Sequence, residues 1–314
     1  GHACYIPLSH IENNNDLFGA EVLVDGQLNF ETTLNLLRPV LEDESILKIG
    51  QNMKYDAKIL YLLGINISPI DDTMLLSYSL NAGLHNHSMD SLSERYLNYK
   101  PVPIKSLLGT GKAVITFDRV KIPEAVKYAS EDADITMRLW CLFKSELHKK
   151  RVTNIYESLE RPLVPILANM ELTGVKVDRD ILSRMSNSFA QKMASLEYEI
   201  HELAGETFNL GSPKQLGEIL FEKMKFSGGT KGKTGAYSTG ADILEDLSTE
   251  HALPGLVLDW RQLAKLKSTY TDALQEHINK DTGRVHTSYL ISGTNTGRFS
   301  SSDPNLQNIP IRSD

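Results

Sequence analysis

Short apolar runs alternate with helical patterns over the first half of the chain. Residues 45–49 read as a strand closed by Gly50. Residues 54–63 read as a helix, with Ile59, Leu60, Leu62 and Leu63 apolar and Gly64 ending it. A second short strand is predicted over 66–70. Asp72 is placed to cap a helix running through residue 80, and 89–97 forms another. Pro123 suits the first turn of a helix that continues to about residue 150. Strand followed by helix, repeated, predicts an α/β domain.

The second half is mostly helical in pattern. Residues 154–172 form a helix with prolines at 162 and 165, so a kink or break is expected there, and Gly174 ends it. From Asp178 a long amphipathic helix starts. Its apolar stripe is Ile181, Met185, Phe189, Met193, Leu196, Ile200 and Leu203, spaced three or four apart, and is assigned to packing. A shorter helix runs from Ser212 and Pro213 to 224, then a basic loop over 227–235 with no apolar residue. Helices are predicted over 241–249 and about 256–277. After Gly283 the pattern turns β-like and rich in turns, and no internal repeat is present.

Composition adds bounds to this picture. With 314 residues, 41% of them hydrophobic, the chain can build two ordinary domains with sizeable cores. No run of eighteen apolar residues exists, so no membrane partner is expected. The first residues have neither a basic start nor an apolar stretch, which speaks against a signal peptide. No Met comes first, so this is not expected to be a natural start. Cys4 and Cys141 fit no metal or redox spacing and read as two reduced thiols of a cytoplasmic protein. The net charge of -7 hides a segregation. Five Lys face two acids between 214 and 233, and seven Lys or Arg face four acids between 261 and 312.

Two segments of the α/β half carry candidate chemistry. One is Gln51-Asn52-Met53-Lys54-Tyr55-Asp56. The other is Tyr128-Ala129-Ser130-Glu131-Asp132-Ala133-Asp134. Asp56 follows a strand directly, at a sheet edge where α/β sites lie. Tyr128 and Asp132 are four apart and share a helix face, which Ile135 and Leu139 continue toward the core. A carboxylate on an inward face is costly unless paired or bound to metal. Taken singly, Asp56 could equally answer the helix dipole, Asp132 could pair with a Lys or Arg, and Glu131 and Asp134 read as structural or solvated.

Together the two segments resemble the second and third motifs of the 3′-5′ proofreading exonucleases, Asn-x-x-Tyr-Asp followed by Tyr-x-x-x-Asp. The resemblance implies a two-metal Mg²⁺ site with Asp132 as a direct ligand and Asp56 holding the second ion largely through water. It implies that Tyr128 orients the attacking water and that Asn52 and Tyr55 sit near the terminal nucleotide of a single-stranded 3′ end. Oxygen ligands suit Mg²⁺, and two divalent ions suit phosphodiester cleavage. The family's first motif, Asp-x-Glu, does not precede Asp56 here. The chain is therefore expected to begin inside the domain, with its N-terminal strands and half of the metal cage missing.

The second constellation runs from Leu263-Ala-Lys-Leu-Lys-Ser-Thr-Tyr-Thr-Asp272 through Gly283-Arg-Val-His-Thr-Ser-Tyr289. It ends in Thr294-Asn-Thr-Gly-Arg-Phe-Ser-Ser-Ser-Asp-Pro-Asn-Leu-Gln-Asn-Ile-Pro310. This resembles the family A DNA polymerases of bacteria, with Phe299 in place of the more usual Leu. The resemblance covers the whole chain in order. It implies a partial exonuclease domain of ribonuclease H-like α/β fold over 1–150. A partial polymerase domain over 151–314 follows, with a mostly α-helical thumb at about 178–280 and the start of the palm at 284–314. The 225–240 loop matches the thumb tip.

Asn and Gln can read minor-groove acceptors without sequence preference, and Lys and Arg can track phosphates. The resemblance implies that Arg298, Asn305, Gln307, Asn308 and Arg312 contact the primer-template, with Arg261 and Lys265 on the helix before them. The partners implied are duplex primer-template, a single-stranded 3′ end and deoxynucleoside triphosphates. A monomer in the bacterial cytoplasm, at the nucleoid, is implied with them. The catalytic carboxylates of the polymerase would lie beyond residue 314, so the chain alone is expected to be inactive in both reactions and at most to bind DNA. A stand-alone exonuclease of the ribonuclease D kind fits the first half but not the second. A non-enzymatic DNA-binding module is the remaining alternative.

Overall fold

The structure is a computed structural model that describes residues 2–12, 22–111, 114–232 and 235–310. The chain divides into two compact units. One holds residues 1–173 and 287–307, the other 174–286 and 308–314. Compactness places residues 151–173 and 287–307 with the first unit.

In the first unit, α1 (Phe30–Glu42) is capped by Asn29, whose side chain accepts the Thr32 N–H. Strand β1 (Lys48–Gly50) leads into α2 (Met53–Leu62), and β2 (Ile70–Asp72) pairs with β1 in parallel. Both strands are shorter than predicted and lie two or three residues later. Asp72 does cap α3 (Thr73–Asn81), accepting the Met74 N–H. Helix α4 (Met89–Leu92) passes into a π-helical turn over Ser93–Leu97. After α5 (Ile104–Leu108) comes α6 (Ile122–Lys149), with Pro123 in its first turn as its fixed φ favours. The predicted 154–172 helix runs without a gap from α7 (Thr153–Ile155) through a π-helical segment (Tyr156–Glu160) into α8 (Arg161–Thr173). The π-helical widening, not a break, falls ahead of Pro162, whose ring removes an N–H, and Pro165 lies inside α8.

The core of this unit gathers Leu75 and Leu76 of α3, Leu92, Ile135, Leu139 and Phe143 of α6, and Val164 and Leu167 of α8. Each fully buried leucine contributes about 1.5–3 kcal/mol relative to exposure. Ile135 and Leu139 point inward, as the face they share with Asp132 requires.

In the second unit β3 (Val175–Lys176) precedes α9 (Arg179–Ala204), capped by Asp178. Helix α10 (Pro213–Gly217) is capped by Ser212 and continues as a π-helical segment, Glu218–Lys223. Helices α11 (Ala241–Ser248) and α12 (Ala252–Leu266) follow, then a π-helical segment (Lys267–Asp272) and α13 (Ala273–Glu276). Strand β4 (Arg284–Val285) closes antiparallel on β3. The stripe of α9 is only partly core. Ile200 is fully buried within a cluster with Leu216, Leu220, Leu244 and Val257, whereas Ile181, Met185 and Leu203 are exposed.

Returning to the first unit, β5 (Ser288–Leu290) and β6 (Ser300–Ser302) form an antiparallel hairpin. Among the described residues no helix is long and apolar enough to cross a membrane.

Candidate active site and DNA-contact residues

The β1–α2 junction builds one wall of the first site. Asn52 takes a left-handed conformation (φ 57°), which Asn tolerates better than most residues. That bend sends the chain from β1 into α2 and brings Asp56 into the first helical turn, where a negative charge meets the positive end of the dipole. The bend is held by Asp72, whose carboxylate accepts the N–H of Asn52 (3.0 Å) and of Met53 (2.8 Å). The opposite wall is α6, which carries Tyr128 and Asp132 one turn apart.

Asn52, Tyr55, Asp56, Tyr128 and Asp132 line one cleft of about 680 Å³. Five positions drawn from two motifs more than seventy residues apart are thus brought together. Gln51, Met89, Thr136 and Met137 line it too and were not singled out from the sequence. Gln51 had a local signal, since it adjoins the motif. Its amide donates to the His87 carbonyl at 2.9 Å and its oxygen accepts from the Thr73 hydroxyl. Met89 and Thr136 carry no signal that separates them from core residues.

Both carboxylates sit in surroundings that resist their charge. Asp56 keeps solvent exposure, and partial desolvation by its neighbours raises its carboxyl. Burial pushes Asp132 up to about 6, against the lowering effect of a hydrogen bond from Tyr128 and with the charges of Glu131 and Asp90 adding to the rise. Tyr128 is raised in turn, first by burial and then by Asp132. The Asp132 Oδ1 atom is buried without a hydrogen-bond partner. Two acids in one cleft, one with an orphaned oxygen, are a donor set that a hard divalent cation fits. Among the described residues no group of three or more His, Cys, Asp or Glu forms a complete metal cage. Glu131 and Asp134 stay outside the cleft. Glu131 accepts the Tyr99 hydroxyl and the Val102 N–H (2.8 Å), and Asp134 faces Arg138 at 3.5 Å.

The residues expected to touch DNA are distributed differently. Arg298, Asn305 and Gln307 are exposed on and after the β5–β6 hairpin of the first unit. The Asn305 side chain accepts the Gln307 N–H at 2.9 Å, a local turn bond, and Gln307 donates to the Phe299 carbonyl. Asn308 belongs to the second unit, where its carbonyl accepts the Tyr270 hydroxyl. Lys265 is exposed on α12. Arg261 is half-buried and donates to the carbonyl (2.6 Å) and hydroxyl (3.3 Å) of Thr239, beside a cleft of about 520 Å³ that also touches Tyr237 and Trp260. Burial lowers its pKa. Arg261 therefore fastens the loop before α11, a role invisible in its sequence position. Arg312 lies outside the described residues.

A 3′-5′ exonuclease family model matches residues 5–148, and a DNA polymerase family A model matches residues 179–314. The chain belongs to the family A DNA polymerases, with the exonuclease segment preceding the polymerase segment. DNA polymerase I of Rhizobium leguminosarum is 54% identical over 99% of this chain, and that of Pseudomonas aeruginosa 42% identical over 99%. The chain spans about a third of the length of these curated relatives, 30% and 34% respectively. A solved structure of the POL domain of Pol1 from M. smegmatis, in complex with DNA primer-template and dNTP, aligns with a TM-score of 0.77 and 29% identity. The alignment covers 94% of this chain and 48% of that one.

Proposed function

We propose that this chain carries part of a 3′-5′ proofreading exonuclease site and part of a primer-template interface, serving template-directed DNA synthesis in replication and repair. The observation that carries the reading is the single cleft shared by Asn52, Tyr55, Asp56, Tyr128 and Asp132. The first unit is read as ribonuclease H-like. The helices around α9 and α12 are read as the thumb, and the β5–β6 hairpin as the start of the palm.

Asp132 and Asp56 would hold the divalent cations, for which Mg²⁺ is the natural oxygen-seeking choice. A bound divalent cation supplies Lewis-acid activation of water and neutralises charge on the phosphodiester. Asp132 lines the cleft with one carboxylate oxygen lacking a hydrogen-bond partner, and its bond with the Tyr128 hydroxyl would hold that hydroxyl where a water can be oriented. Asn52 and the exposed Tyr55 form the rim that a terminal nucleotide would meet. Arg298, Asn305, Gln307, Asn308, Lys265 and Arg312 are read as duplex contacts, and Arg261 as a residue that orders the loop while facing DNA. Deoxynucleoside triphosphates would be substrates of the full-length protein, a monomer of the bacterial cytoplasm acting at the nucleoid.

With Asp56 and Asp132 the two acids that line the cleft among the described residues, this chain by itself is expected to trim 3′ ends poorly and to incorporate no nucleotide. It should bind duplex DNA weakly, with affinity falling steeply as salt rises. Primer extension, 3′-end trimming with Mg²⁺ and a salt titration of duplex binding test this. Robust incorporation, or an affinity indifferent to salt, would overturn it.

A further inference from the structure

We infer that Tyr78, on the exonuclease segment, is a positioning residue for the turn that presents Arg298; the inference rests on reading Arg298 as a DNA contact. Tyr78 lies on α3 and is 3% exposed. Its hydroxyl donates to the Thr294 carbonyl at 2.9 Å and accepts the Gly297 N–H at 3.2 Å. These two groups flank the Asn295-Thr296 tip, immediately before Arg298. Within the turn the Thr294 hydroxyl donates to the Arg298 carbonyl at 2.7 Å and accepts the Thr296 N–H at a longer 3.4 Å. Gly297 has φ 77°, a conformation that a side chain resists. One phenol thus pins both ends of the turn from outside it.

Other contacts fix the phenol and the hairpin. The Tyr78 ring meets the edge of His87 with centroids 5.6 Å apart, and His87 is held by the Ser77 hydroxyl at 2.8 Å. Asn295 is seated against Gly83, where a Cβ would come within 2.9 Å of the Asn295 Cγ on a backbone with φ +77°. At the hairpin's other end the buried Glu171 accepts the Tyr289 N–H at 2.7 Å while paired with Lys54. The hairpin is therefore fastened to α3 at its tip and to α8 at its base. Its tip shares α3 with Asp72 and Thr73, which shape the wall of the exonuclease cleft. The geometry points to the exonuclease segment as the template on which the Arg298 turn is set, independent of any trimming chemistry.

The test uses the 314-residue chain with Tyr78→Phe, Gly83→Ala and Arg298→Ala variants. Tyr78→Phe keeps the ring and removes only the hydroxyl. Hydrogen exchange at the Gly297 amide should accelerate about tenfold, the equilibrium factor of the lost bonding. Affinity for a primer-template duplex should fall by a smaller factor than in Arg298→Ala, and divalent-cation binding at the Asp56 and Asp132 cleft should be unchanged. Gly83→Ala should reproduce the exchange effect through Asn295. Unchanged Gly297 exchange in both variants overturns the inference. So does accelerated exchange with unaltered affinity when Arg298→Ala weakens binding. If Arg298→Ala itself binds as tightly as the unaltered chain, the interface reading fails, while accelerated exchange still supports the joint.

Discussion

The Asp72 carboxylate accepts the N–H of Asn52 at 3.0 Å across twenty residues of sequence, joining the start of α3 to the bend beside the cleft lined by Asp56 and Asp132. The same carboxylate accepts the N–H groups of Met53 and Met74, so one fully buried acid terminates two helices. Asp72→Ala should leave these donors unpaired and destabilise the chain by about 3 kcal/mol, whereas Asp72→Asn, which keeps one acceptor, should lose about half of that. Urea unfolding of the three chains checks it. Equal stability of the Ala and Asn variants would contradict the capping role.

Neighbouring acids should show opposite pH dependence. Burial raises Asp72 to about 6, so its contribution is fully present below its unfolded value of about 3.9 and is lost as pH rises through about 6. For Asp71 burial acts upward too, but hydrogen bonds from Trp140 (2.7 Å) and Tyr156 (2.9 Å) and the Lys144 charge outweigh it and hold the group low. Its contribution is present above about 3.9 and is lost as pH falls through its lower folded value. Unfolding free energy measured from pH 3 to about pH 7 should therefore show a shallower acid limb in Asp71→Asn and a smaller decline near pH 6 in Asp72→Asn, with Asp132 supplying the decline that remains.

Divalent cations should stabilise the chain through Asp56 and Asp132. At a hundredfold excess over Kd, Mg²⁺ should add about 2.7 kcal/mol, and a chelator should remove it. Asp56→Ala and Asp132→Ala should melt at the same temperature with or without Mg²⁺. Metal-free Asp132→Asn should be at least as stable as the unaltered chain, because it removes a charge that burial disfavours and that the Tyr128 hydrogen bond only partly offsets. A Mg²⁺-dependent shift that survives both alanine substitutions would place the ion elsewhere.

Arg261 and Lys265 lie one turn apart on α12 but should behave differently. Arg261→Ala strands the Thr239 carbonyl and should cost about 1–2 kcal/mol of stability together with DNA affinity. Lys265→Ala should change stability by less than about 0.5 kcal/mol while lowering the salt slope of duplex binding by about one. Urea unfolding and duplex affinity at several salt concentrations separate the two. A Lys265→Ala chain with an unaltered salt slope would remove that residue from the interface.

What the sequence determined by itself is what neighbours along the chain can settle. Asp72, Asp178 and Ser212 were legible as caps because a cap is a bond between residues two or three apart. Tyr128 and Asp132 were legible as one face because four residues make about one helical turn, and the ordered motifs placed the chain in its family. Tertiary structure decided the rest, because burial and long-range polar contacts have no signature in spacing. It shortened the strands. It buried Ile200 but exposed Ile181 and Met185 of the same stripe, since periodicity says which residues share a face and not whether anything covers it. Thr239 claimed Arg261, and Tyr78 joined a turn more than two hundred residues away. Those pairings exist only once packing has brought the partners together and excluded the water that would otherwise satisfy them.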